Sequence, residues 1–168
     1  MAEQFLTLMA DLDEGAQATL SKWYDSLYQA GFRGSQTPGL PFHISLASFP
    51  PDKEAEASAL ARKAAGEFSP FPVHISHIGI FAPGRVLFAG PERSAELDRL
   101  HSRCEPRPDP KRPWTPHVTL LIDEPETVCR ALPCLLTSFH PLVGRITRLH
   151  LCAFWPTREL LSAGLESP

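Results

Sequence analysis

Phe42-His43-Ile44-Ser45-Leu46-Ala47-Ser48-Phe49 and Pro116-His117-Val118-Thr119-Leu120-Leu121-Ile122 are the two stretches that decide how this chain folds. In the first, apolar Phe42, Ile44 and Leu46 alternate with His43 and Ser45, the period of a half-buried strand. An imidazole and a hydroxyl therefore share one strand face. In the second, His117 and Thr119 stand in the same relation, with Val118 and Leu120 turned the other way.

Working outward, each stretch is followed by the same succession of signals. An acidic helix start comes first, Pro51-Asp52 in one case and Asp123-Glu124 in the other, then a helix over 53–68 or 124–139 that ends in phenylalanine. Pro133 is expected to interrupt or kink the second helix. A proline follows two residues after each phenylalanine, in Phe68-Ser69-Pro70-Phe71 and Phe139-His140-Pro141-Leu142, and both copies run on into an apolar strand over 75–81 or 149–154. This strand, helix, strand repeat predicts two halves related by a pseudo-twofold axis, with the two His-bearing strands facing each other.

The remaining segments fit around the repeat. Residues 4–10 read as a buried strand ending at Asp11, and Asp13 caps a helix whose apolar residues recur at helical spacing until Gly31. Pro83-Gly84 turns a hairpin between strands over 73–81 and 85–89. Residues 92–104 read as a helix, 106–116 as a Pro-rich loop, and 144–155 as the last strand. Asp52 and Asp123 are expected to be helix N-caps. The predicted fold is α+β: one domain over 1–168 made of two pseudo-symmetric lobes, each an antiparallel sheet with helices on its outer face, and a central cleft between them.

Composition narrows the function. The chain has 168 residues, 43% hydrophobic and 21% charged, which places it among globular proteins that fold unaided. A net charge of −3 gives no basic field for holding long duplex nucleic acid by counterion release, so a nucleic-acid partner is expected to be a nucleotide or a short RNA. Met1-Ala2-Glu3-Gln4 has no basic region ahead of an apolar core, and no apolar run reaches membrane-spanning length; a cytoplasmic monomer with no membrane partner is expected. The 4 cysteines, at 104, 129, 134 and 152, form no C-x-x-C pair, which argues for reduced thiols and against a zinc site. The 18 prolines fall at segment junctions and read as loop punctuation.

Two imidazoles and two hydroxyls brought to one point suit transfer at phosphorus. One ring takes a proton from the attacking oxygen and the other gives one to the leaving oxygen, while the hydroxyls hydrogen-bond the non-bridging oxygens. Histidine serves both roles near neutral pH.

Phe42-His43-Ile44-Ser45-Leu46 and Pro116-His117-Val118-Thr119-Leu120, with Ile78-Gly79-Ile80-Phe81 and Arg85-Val86-Leu87-Phe88 as a central hairpin, resemble the 2H phosphoesterase superfamily over nearly the whole chain. That group includes 2′-5′ RNA ligase-like proteins and cyclic nucleotide phosphodiesterases. The resemblance implies that His43 and His117 are catalytic, that Ser45 and Thr119 bind phosphate, and that neither metal nor cofactor takes part. It implies hydrolysis of a 2′,3′-cyclic phosphate or a 2′-5′ phosphodiester of an RNA end or small nucleotide. Ligation by the reverse reaction, and a nucleotide- or RNA-binding module with little turnover, stay open beside it. Phe42 stands between Pro41 and His43, where the family often has proline directly before histidine.

Other residues carry two readings. His74-Ile75-Ser76 is a third His-x-Ser, but it falls in the strand after the repeat helix and is set aside. His77, His101 and His140 have no repeat partner and read as surface or structural. Arg148 and His150 alternate with Leu149 and Leu151, so they face either the substrate or a structural hydrogen bond. Lys111, Arg112 and Trp114 either grip a nucleotide by charge and stacking or form a solvated loop anchored by Trp114. The two histidines are equivalent by repeat symmetry, which leaves acid and base unassigned.

Overall fold

The structure, a computed structural model, describes residues 3–105 and 107–166. The readings placed on Met1, Ala2 and Pro106 lie outside the described residues. The elements run β1 (Phe5–Leu12), α1 (Glu14–Gln29), β2 (His43–Phe49), α2 (Glu54–Glu67), β3 (Phe71–Phe81), β4 (Val86–Pro91), α3 (Ala95–Cys104), β5 (Val118–Ile122), α4 (Pro125–Ser138), β6 (Leu142–Phe154) and β7 (Arg158–Gly164). The repeat is longer than the sequence alone suggests. Two successive β-α-β-α-β units, β1 to β3 and β4 to β6, make up all but the last strand.

All strands join one antiparallel sheet in the order β2-β1-β6-β3-β4-β5, with β7 added to β6. That order maps onto itself when the two units are exchanged, so β2 corresponds to β5, β1 to β4 and β6 to β3. The two lobes are the halves of this sheet, joined where the first residues of β3 pair with the first residues of β6, Phe71 opposite Ile146 through Ile75 opposite Leu142. Although β2 and β5 end the strand order, they contact each other, so the sheet curves until its two His-bearing edges meet.

Helices cover the convex side. Leu6, Leu8, Ala10, Ile44, Leu46, Leu149 and Leu151 form the sheet side of one core with Leu20, Trp23 and Leu27 of α1 and Ala57, Ala61 and Ala64 of α2. The helices are shared across the repeat. α2 packs on β1, β6 and β7 and against α3 of the other unit, while α4 packs on β4 and against α1, where Trp23 meets Phe139 with ring centroids 4.8 Å apart. Each lobe thus takes a helix from each unit.

Local chemistry explains most boundaries. Asp13 caps α1 by accepting from the Ala16 N–H at 3.2 Å, and Gly31 leaves the helix at φ +93°. Ser94 caps α3 by accepting from the Leu97 N–H at 3.1 Å. Asp52 and Asp123 are not N-caps: Asp52 lies in a 3₁₀ turn, Pro51–Lys53, ahead of α2, and Asp123, two residues before α4, accepts from the N–H of the N-cap Glu124 at 2.8 Å. Pro133 lies within a continuous α4. β1 does not stop at Asp11 but carries it, 6% exposed, as an internal residue. The chain also does not close at residue 155, since β7 adds an edge strand beyond it.

Candidate active site

β1 lies between β2 and β6, and its odd positions face the concave side of the sheet. Asp11 is opposite His43 on one flank and Arg148 on the other; Met9 is opposite Ser45 and His150. On the other lobe Phe88 of β4 is opposite Thr119 and Gly79. The concave face therefore collects His43, Ser45, Thr119 and the residues around them, because period-two alternation sends the apolar partners Ile44, Leu46, Val118 and Leu120 into the core.

The two histidines are held in the same way. His43 Nδ1 lies 2.7 Å from the Pro41 carbonyl oxygen and His117 Nδ1 lies 2.9 Å from the Thr115 carbonyl oxygen, in each case two residues back along the chain. A carbonyl can only accept, so each Nδ1 carries its hydrogen and donates it. Each Nε2 is then the nitrogen left to gain or lose a proton. Burial lowers the pKa of both rings below the usual histidine value, against the opposing pull of the carbonyl that each Nδ1 donates to. His117 and His150 lower His43 further, by smaller amounts than burial does.

A cavity of about 400 Å³ opens between the lobes, and His43, Ser45 and Thr119 line it. Its remaining walls are largely apolar, including Phe5, Met9, Tyr24, Leu40, Phe42 and Phe154, and its described lining holds no Lys, Arg, Asp or Glu. His117 packs edge-on against Phe81 at 4.8 Å and against Phe88 at 5.7 Å. Gly79 makes this possible: a Cβ there would lie 2.1 Å from the Phe88 ring.

Loops tie each motif to the opposite strand. Before β2, Ser35 N–H donates to the Ile122 carbonyl at 2.8 Å and Gln36 Oε1 accepts from the Ile122 N–H at 3.0 Å. Before β5, Trp114 Nε1 donates to the Ser45 carbonyl at 3.0 Å while its ring stacks on His101 at 3.9 Å. Trp114 thus takes the anchoring alternative, with its indole N–H and one face engaged by the protein, and it does not line the cavity. Arg112 is exposed on the loop and does not line it either.

Arg148 and His150 line a second recess with Asp11, Glu159 and Ser162, across Pro41 from the first. Arg148 Nη1 donates to Ser162 Oγ at 2.8 Å. His150 is 5% exposed, with Nε2 3.0 Å from Glu159 Oε2 and 3.4 Å from Cys152 Sγ, and Nδ1 3.5 Å from Asp11 Oδ2. Asp11 foremost, then Cys152, push its pKa up to about 10 in spite of burial, so the ring is an imidazolium at neutral pH. These are protein contacts, the structural alternative for His150. Asp11, Thr7 and Glu159 were missed by reading the sequence; the available signal was the period-two series Thr7, Met9, Asp11 inside an apolar run.

His74 lies exposed on β3, opposite Val143 and outside the cavity. Among the described residues no group of three or more His, Cys, Asp or Glu side chains converges as a set of metal ligands, and no helix is long and apolar enough to cross a membrane.

Residues 12–154 match the family model of the 2′-5′ RNA ligase superfamily. The chain belongs to that family. The match spans both motifs and bears out the 2H phosphoesterase resemblance. Solved structures agree in fold. E. coli LigT complexed with 3′-AMP is 21% identical, with TM-score 0.64 and coverage of 99% of this chain and 100% of that one. A crystal structure described as a phosphoesterase is 22% identical, with TM-score 0.68 over 99% and 100%. The protein TT0787 of Thermus thermophilus is 20% identical, with TM-score 0.66 over 96% and 97%. No curated relative matches the sequence.

Proposed function

We propose that this 2H phosphoesterase hydrolyses a 2′,3′-cyclic phosphate, or a 2′-5′ phosphodiester, of a small nucleotide or RNA end, with His43 and His117 as the acid/base pair. The observation that carries this reading is the matched fixing of the two rings by Pro41 and Thr115, which leaves Nε2 as the free nitrogen of each, beside a cavity wall that holds His43, Ser45 and Thr119. One neutral Nε2 accepts a proton from water as its oxygen bonds to phosphorus. The P–O bond to the leaving oxygen breaks, and the other ring, protonated, supplies the proton that oxygen takes up. The Ser45 and Thr119 hydroxyls donate to the non-bridging oxygens, whose charge grows in the transition state. No step calls on a metal or cofactor.

Burial lowers the pKa of both rings, and a bound phosphate anion favours the protonated form of whichever ring is to act as acid. The apolar, uncharged lining suits one nucleoside next to one reacting phosphate, and the complex of E. coli LigT with 3′-AMP supports a substrate of that size. We place the active chain as a monomer in the cytoplasm.

Turnover on a panel of 2′,3′-cyclic nucleotides and 2′-5′ dinucleotides tests the reading. The expected result is monoester product from at least one of them in the presence of a chelator. Saturable binding of every member with no product would instead make the cleft a nucleotide-binding module.

A further inference from the structure

The two carbonyls that hold the motif rings belong to unlike peptides. A peptide plane is oriented by ψ of the residue before it and φ of the residue after it. The Thr115 carbonyl, which accepts from His117, is followed by Pro116, whose ring locks that φ and narrows ψ of Thr115. The Pro41 carbonyl, which accepts from His43, is followed by Phe42, so neither dihedral of its peptide is locked by a ring. The β1–β2 ladder gives this end little support, since the bond from the Leu12 N–H to the Phe42 carbonyl is long, 3.5 Å.

Gln17 of α1 supplies what the ladder does not. Its Oε1 accepts at 2.8 Å from the Phe42 N–H, which belongs to the same peptide group whose carbonyl accepts from His43 Nδ1. Its Nε2 donates to the Phe42 carbonyl at 2.7 Å and to the Leu12 carbonyl at 3.1 Å. An N–H only donates and a carbonyl only accepts, so these partners fix which way the amide points. The other lobe has no such clamp. Asp98 stands as far past the Ser94 cap of α3 as Gln17 stands past the Asp13 cap of α1, but it accepts from Arg93 Nε at 3.0 Å, and Pro116 has no N–H to offer it.

We propose that Gln17 is a positioning residue for His43: its amide clamps the Pro41–Phe42 peptide, and so keeps the ring hydrogen on Nδ1 and Nε2 free to exchange a proton, as the Pro116 ring does for His117. This rests on the reading of the two histidines as the acid/base pair. Gln17 is half-buried and lines the second recess, not the cavity that holds His43, Ser45 and Thr119. It therefore acts on the chemical step through His43 and not on substrate binding.

Gln17→Met keeps the length of the side chain and removes both hydrogen-bonding groups. On a 2′,3′-cyclic nucleotide its kcat is expected to fall about tenfold, with KM within about twofold of the native value. Nitrogen-resolved imidazole NMR of the variant is expected to show His43 passing from one Nδ1–H tautomer to a mixture, with His117 unchanged. In the unmutated protein the Phe42 amide is expected to exchange with solvent at least about a hundredfold more slowly than in an open chain. Open-chain exchange of that amide would overturn the proposal, a measurement that needs no variant to fold. A Gln17→Met variant with native kcat, with an unmoved His43 tautomer, or with His117 altered as much as His43 would overturn it as well. The proposed function fails differently: it falls if His43→Ala retains the native rate, whereas an essential His43 that is indifferent to Gln17→Met removes only the role of Gln17.

Discussion

His117 is held by contact as much as by its hydrogen bond. Its ring rests edge-on against Phe81 and Phe88, and Phe88 has room only because position 79 lacks a Cβ. Gly79→Ala is therefore expected to displace Phe88 and with it His117, lowering kcat by about tenfold or more while the His43 imidazole resonances stay in place. Kinetics with NMR of both rings checks this; displacement of His43 instead would contradict it. At this scale the sequence showed His43, Ser45, His117 and Thr119 plainly, because a period-two alternation repeated in two places cannot be hidden by tertiary structure. Asp11 was hidden. A lone acid at the end of an apolar run reads as the end of the strand, and only the ladder to β6 reveals the imidazolium that makes its burial tolerable.

Between elements, the two edge strands are joined by the loops that precede them, and Trp114 is the clearest joint. Trp114→Phe retains an aromatic ring to stack on His101 but loses the bond to the Ser45 carbonyl, so it is expected to cost about 1 kcal/mol in urea denaturation. An unchanged midpoint would show that the bond holds nothing. The strand and helix order was legible from hydrophobic period and from punctuation by Pro and Gly. Three features were not. β7 follows Trp155-Pro156-Thr157, a stretch that reads as a terminus, and its adjacent Leu160 and Leu161 break the alternation of a strand. Asp52 and Asp123 have the composition of caps but sit outside the cap position, because a 3₁₀ turn and Glu124 occupy it. Pro133 does not interrupt α4, whose buried Val128, Ala131 and Leu135 face the core on both sides of it.

For the whole molecule, sharing of helices between the repeat units means that neither half carries its own core. The chain is expected to unfold in one transition, with far- and near-ultraviolet circular dichroism coincident; separate transitions would contradict a single domain. Its pH dependence follows from the buried rings. His150 has a folded pKa near 10, raised from 6.5, so its contribution is fully present below pH 6.5 and is lost as pH rises toward 10. His43 and His117 are lowered from 6.5, so their contribution is present above that value and is lost as pH falls through their folded pKa values. Stability is expected to peak near neutral pH, and His150→Gln is expected to flatten the alkaline side only; an unaltered alkaline slope would count against the imidazolium.

The central claim, that both lobes supply one half of a single proton-transfer pair, is tested most directly by kcat/KM of His43→Ala and His117→Ala, side by side on a 2′,3′-cyclic nucleotide. Both are expected to fall by about 10²- to 10⁴-fold with the circular dichroism spectrum unchanged. A native rate in either variant would contradict the account.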